Sequence, residues 1–141
     1  MNTSVTLTFR IPAEGMTLVD RELEALREDL YRAVVVPAMF EAEYFGFRDV
    51  LRLRPAADGV PELVEVTERG GWKRFDFVVS QAVAESYRFA ALVARVEEAG
   101  GAWARDFGGW LSFLLPPNSI WDPTRELEAL GAAVAEDIEE R

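Results

Sequence analysis

Lys73-Arg74-Phe75-Asp76-Phe77-Val78-Val79-Ser80 is the stretch that decides the fold class. Phe75, Phe77 and Val79 alternate with Arg74, Asp76 and Val78, the two-residue period of a strand with one buried face. Ser80 then offers a side-chain oxygen to the first amides of a helix. Phe89, Leu92, Val93 and Val96 recur on one face of that helix until Gly100-Gly101 ends it. Residues 103–107 and 110–115 flank Gly108-Gly109, a two-residue hairpin signal. After Pro116-Pro117, Asp122 can cap a second helix with Pro123 at its first position, and Leu127, Leu130, Val134 and Ile138 form its buried stripe. The order from Lys73 onward is therefore strand, helix, strand, strand, helix. That is a ferredoxin-like split βαββα unit, with a fourth strand left to come from elsewhere in the chain.

The earlier residues read as a β-rich meander. Val5, Leu7, Phe9 and Ile11 alternate with Thr6, Thr8 and Arg10 in a strand ended by Pro12. Val19, Leu23, Leu26 and Leu30 fall at helical spacing among charged residues and predict a short amphipathic helix. Residues 30–36 turn β-branched and stop at Pro37. Residues 45–54 read as a strand, turned at Ala57-Asp58-Gly59 and answered by residues 62–68 in a hairpin. Gly70-Gly71 marks the break between the halves. The expected architecture is a single compact α+β domain, with lobes at 1–71, β-rich, and 72–141, ferredoxin-like.

Half of the 141 residues are apolar, enough for one substantial core. No stretch approaches the roughly 18 apolar residues that cross a bilayer, and residues 1–10 lack a signal-peptide pattern. The expectation is a cytoplasmic protein without a membrane partner. The chain has no cysteine and no histidine. Thiol chemistry, disulfides, Ser-His-Asp triads and histidine-containing metal sites are excluded, and no cofactor is expected.

The formal net charge of −10 argues against nucleic acid, whose phosphates demand basic groups. Residues 13–29 hold six acids against two arginines, and residues 122–141 hold seven against two. Both segments read as helical, so the charge collects on two faces, one around Asp20, Glu24 and Glu28 and one around Glu136, Asp137 and Glu140. Such faces suit a basic protein partner, because complementary charge speeds encounter. They equally suit a solvated surface that keeps the protein soluble.

Few residues invite catalysis. Lys73, the only lysine, reads as a strand-edge charge rather than a Schiff-base nucleophile. Glu41 and Glu43, or Glu97 and Glu98, are carboxylate pairs whose spacing does not demand acid/base or magnesium chemistry. Phe40, Tyr44, Phe45 and Phe47 form an aromatic cluster that reads either as core or as a contact patch. Trp103, Trp110 and Trp121 carry the same two readings. Fourteen arginines to one lysine receive no functional assignment.

Glu28-Asp29-Leu30-Tyr31-Arg32-Ala33, a Pro-containing aromatic stretch, Gly46-Phe47-Arg48-Asp49-Val50-Leu51 and Asp58-Gly59 together resemble the bacterial family called domain of unknown function 4265. The similarity covers about residues 7–138. Tyr31 stands where that family usually has tryptophan, and Arg48 where it has the glycine before the aspartate. The resemblance implies an order of elements ending in βαββα and carries no activity with it. The functional expectation is a non-enzymatic acidic binding protein of the immunity or antitoxin type, directed at a basic toxin or enzyme. The alternative is a small-molecule-sensing regulatory module that forms a homodimer through its ferredoxin-like half.

Overall fold

The computed structural model describes residues 3–38, 40–106 and 109–134. It is mixed α+β and rich in strands, and it divides into two compact units, Met1–Gly71 and Trp72–Arg141.

The first unit is a five-stranded barrel of consecutive strands: β1 (Thr3–Ile11), β2 (Met16–Arg27), β3 (Leu30–Ala33), β4 (Val50–Arg54) and β5 (Glu62–Glu68). Each strand pairs antiparallel with the next. In such a meander the direction alternates, so the first and fifth strands run the same way and the barrel can close only by a parallel contact. The inward side chains follow the alternation. Phe9, Ile11, Leu18, Leu23, Ala33, Leu51 and Leu53 pack into one buried cluster with Phe45 from the loop before β4. Phe9 and Phe45 meet at 6.1 Å between ring centroids, tilted by 51°.

The amphipathic helix expected over residues 19–30 is strand β2 instead. Between Leu7 and Phe9 the pairing jumps from Arg21 to Leu18, so β2 carries a bulge at Val19-Asp20. Asp20 takes a left-handed conformation there, with φ of 51°. A second shift lies between Ala25 and Arg27. Each bulge moves the inward positions by one residue. The inward side chains therefore fall at Leu18 and Leu23, with Leu26 half-buried beyond the pair, and these uneven intervals imitate helical spacing. The strand expected from residue 45 begins at Val50, because residues 40–44 form turns that place Phe45 in the core. Of residues 30–36 only Leu30–Ala33 form a strand, β3, and the β-branched Val34-Val35-Val36 follow it outside the sheet.

Asp49 fixes the loop before β4. Its carboxylate is 3% exposed and accepts from Gly46 N at 2.6 Å, Gly70 N at 2.7 Å and Arg69 Nη1 at 3.1 Å. Gly70 is required by this approach, since a Cβ on it would lie 2.7 Å from the Phe47 carbonyl oxygen and 2.8 Å from the Arg48 carbonyl carbon.

The second unit runs β6 (Lys73–Val78), α1 (Gln81–Ala84), α2 (Tyr87–Glu98), β7 (Ala102–Asp106), β8 (Trp110–Leu115), α3 (Thr124–Ala129) and β9 (Ala133–Val134). The sheet order is β7-β8-β6-β9, every neighbour antiparallel. Phe75 pairs with Phe113 and Phe77 with Leu111, so these side chains share one face, and Phe89, Leu92, Val96 and Leu127 from the helices cover it. Ser80 caps as expected, its Oγ accepting from Val83 N at 3.2 Å. The helix it starts is short, and Ser86 opens α2 by the same device, accepting from Phe89 N at 3.2 Å.

The long C-terminal helix expected over residues 122–138 is corrected as far as Val134, and Ile138 of its expected stripe lies outside the described residues. Asp122 Oδ1 accepts from Thr124 N at 2.9 Å, but α3 ends at Ala129. Gly131 takes φ of 95°, a conformation that stops helices, and Val134 belongs to strand β9 rather than to a helical stripe.

Two outcomes test this account. Asp49→Ala leaves two partly buried amides without an acceptor and should lower unfolding stability in urea by about 1–3 kcal/mol. Arg48 holds φ of 69°, which glycine adopts freely. Arg48→Gly should therefore raise stability by up to about 1 kcal/mol in the same assay.

Candidate functional site

The polar groups inside each unit are committed to one another. In the second unit, Arg74 Nε donates to Asp76 at 3.0 and 3.1 Å, its Nη2 donates to Ser112 Oγ at 3.0 Å, and Ser112 Oγ donates to Asp76 Oδ1 at 2.5 Å. Ser112 is 1% exposed. A buried hydroxyl facing a carboxylate that Arg74 already neutralises gives a structural triad rather than an activated nucleophile. Arg95 lies 4.1 Å over the Trp121 ring and 3.1 Å from Glu126, whose carboxylate also accepts from Trp121 Nε1 at 3.2 Å. Trp103 Nε1 donates to Glu97 at 3.2 Å, and the Lys73 ammonium donates to the Ser119 carbonyl. Among the described residues no group of three or more acids could hold a metal ion. None of their helices is long and apolar enough to cross a membrane.

Asp20, Glu24 and Glu28, singled out from the sequence, do not share a helical face. Asp20 occupies the bulge of β2, where its backbone N–H donates to Thr8 Oγ1 at 3.2 Å. Glu24 sits directly across from Arg32 in the β2–β3 ladder and pairs with it at 2.8 Å. Glu28 lies in the turn between β2 and β3, exposed. Glu136, Asp137 and Glu140 lie outside the described residues. Of the carboxylate pair, Glu41 is 3% exposed and held by Arg21 at 2.5 Å, while Glu43 is exposed. The aromatic cluster is divided in the same way: Phe45 is core, Phe40 is 44% exposed, and Tyr44 and Phe47 are half-buried.

What the structure brings together is a groove where the barrel closes. The β1–β5 ladder holds a single residue pair, Arg10 with Glu62, and Arg10 N donates to the Pro61 carbonyl at 2.8 Å. β1 ends one residue later, while β5 runs on to Glu68. Asp58 latches this point from the turn before β5: its carboxylate pairs with Arg10 and accepts from Val60 N at 3.0 Å. Beyond the latch lies an open groove of about 450 Å³ lined by Ile11, Pro12, Glu43, Tyr44 and residues 63–66. Successive strand side chains point to opposite faces, so a void touching four consecutive residues runs along the strand's edge. Partial burial pushes the Tyr44 hydroxyl above its ordinary pKa, and the Glu14 and Glu43 carboxylates push the same way. Sequence reading found Glu43 and Tyr44 but not residues 63–66, whose availability follows from strand count and stagger.

No family model matches the chain, and no curated protein matches it. Among solved structures it is similar to a hypothetical protein from Neisseria gonorrhoeae, with a TM-score of 0.53 and 14% sequence identity over 94% of this chain and 92% of that one. At that identity the likeness is one of fold.

The latch carries a pH signature. The hydrogen bond from Val60 N, then that from Arg10, hold Asp58 below the ordinary carboxylate range. A depressed carboxylate contributes stability that is complete above its unfolded pKa and is lost as pH falls through its folded one. Acid titration of the melting temperature should show this loss below the ordinary carboxylate range, and Asp58→Asn should flatten it.

Proposed function

We propose that this chain is a non-enzymatic, acidic binding protein of the immunity or antitoxin type, acting in the cytoplasm on a basic protein partner. The observation that carries the reading is the groove along β5, where an exposed strand edge, an exposed valine and the Glu43 and Glu65 carboxylates stand together. The net charge of −10 favours a partner of opposite sign over nucleic acid or an anionic surface. The ion pairs of β2 to β5 reduce the acidity of the barrel wall without cancelling it.

We read the second unit as a ferredoxin-like split βαββαβ. Its strands, taken in chain order, lie fourth, first, third, second across the sheet, and β9 is the fourth strand that residues 73–138 left open. Membership of the domain of unknown function 4265 is proposed on the same footing. Arg48 stands where that family has glycine, and its left-handed backbone is one that glycine favours. The second reading, a small-molecule sensor that self-associates, is favoured by β7, an outer strand paired only with β8.

Affinity capture of the tagged protein from its native lysate, at low and at high salt, tests the proposal. A basic protein recovered in near-stoichiometric amount and released by salt is the expected result, and the purified pair should show the same salt dependence by calorimetry. Recovery of the chain alone at low salt would replace the proposal with the self-associating sensor.

A further inference from the structure

We infer that the edge of β5 at residues 63–66 accepts an extended, basic segment of the partner as an added strand. The inference rests on the reading of this chain as a binder of basic protein, and gives that reading a location.

A strand at the margin of a sheet presents backbone donors and acceptors on its outer side, and extended peptides bind such margins by continuing the ladder. β5 has this margin because β1 meets it only at Arg10 and Glu62. The pairing with β4 steps from Leu53–Leu63 to Arg52–Glu65, which makes Val64 the extra residue of a bulge on β5. A bulged residue is left out of the ladder. Val64 is also 42% exposed, an apolar side chain facing water beside the groove. Leu63 and Val66 pack towards the barrel core, so the edge is anchored on one face and open on the other. Across the groove, Ile11, Pro12 and Tyr44 supply an apolar wall. Four residues of edge span about 13 Å, the length of a short added strand.

Charge selects the occupant. Glu43 and Glu65 line the groove, and the cations at its margins are already paired, Arg52 with Glu65 at 2.6 Å and Arg10 with Asp58 at the latch. An incoming segment with lysine or arginine at alternate positions meets carboxylates on its outward face and Val64 and Tyr44 with the residues between. A second copy of this chain fits poorly. It would bring its own Glu43 and Glu65 to a groove lined by the same carboxylates, and like charges brought together are disfavoured.

The experiment is a nitrogen-15 chemical-shift titration of the whole chain with a short capped peptide alternating lysine with valine or threonine. A glutamate-for-lysine counterpart is the control, and Val64→Lys and Glu43→Lys are the variants. Both substituted positions are exposed, and circular dichroism checks that the variants fold. Shifts confined to the amides of residues 63–66 and their neighbours across the groove are expected, with binding weakened about tenfold in either variant and no binding of the acidic peptide. Equal binding of both peptides would overturn the charge argument. If the basic peptide, or the partner from the salt-dependent capture, binds both variants as it binds wild type, the location is wrong while the basic-partner reading stands. If neither the peptide nor any basic protein binds wild type, the reading itself fails and takes the location with it. A dimer of wild type that Val64→Lys dissociates would make a second copy the occupant and overturn the proposal.

Discussion

The parallel closure of β1 on β5 is the constraint from which the first unit takes its character. Antiparallel ladders build the other four joints, but an odd number of alternating strands leaves one joint where both run the same way. A parallel joint needs length to be strong, and the stagger leaves a single residue pair there. The protein reinforces that pair from outside the ladder. Arg10 pairs with Asp58 and lies 3.7 Å from Glu62, which is itself 3.6 Å from Arg54. An arrangement of charges at the surface thus does what a row of backbone hydrogen bonds does elsewhere in the barrel. The open groove beyond it is the geometrical remainder.

The same logic gives the many arginines of the first unit a place. Arg10, Arg21, Arg32, Arg52, Arg54 and Arg69 each reach a carboxylate of a neighbouring strand or loop. Planar guanidinium groups suit this work, since one head can donate to two acceptors in fixed geometry. Exposed pairs of this kind contribute little singly. Arg21 with Glu41 and Arg69 with Asp49 differ, because in each the carboxylate is almost wholly buried and could not be left alone without cost.

Strands with clear local signals were legible in the sequence: β1 and β6 lie where the two-residue period placed them, and β5 and the β7–β8 pair where the turn signals before and between them placed them. So was the buried stripe of α2 through Phe89, Leu92 and Val96. The failures share a cause. A bulge at Asp20 and a shift near Leu26 break the period of β2, so Val19, Leu23, Leu26 and Leu30 fall at helical spacing although Val19 faces water and Leu18 and Leu23 face the core. Leu127, Leu130 and Val134 are spaced as a helical stripe, yet the left-handed backbone at Gly131 divides them between α3 and β9. Asp20, Glu24 and Glu28 were assigned to a surface that depended on the first of those helices, so that grouping changed with the element. The groove could not be read from any local pattern, because it is set by how far two strands distant in the chain overlap.

Lys73 has one further consequence. It supplies the only ε-amino group in the chain, at the first residue of β6, where it donates to the Ser119 carbonyl on the approach to α3. Amine-directed chemistry on side chains therefore has a single address, on the second unit. A dye or tether attached there would report from one defined position, and a chain with no cysteine accepts a second label wherever a thiol is introduced.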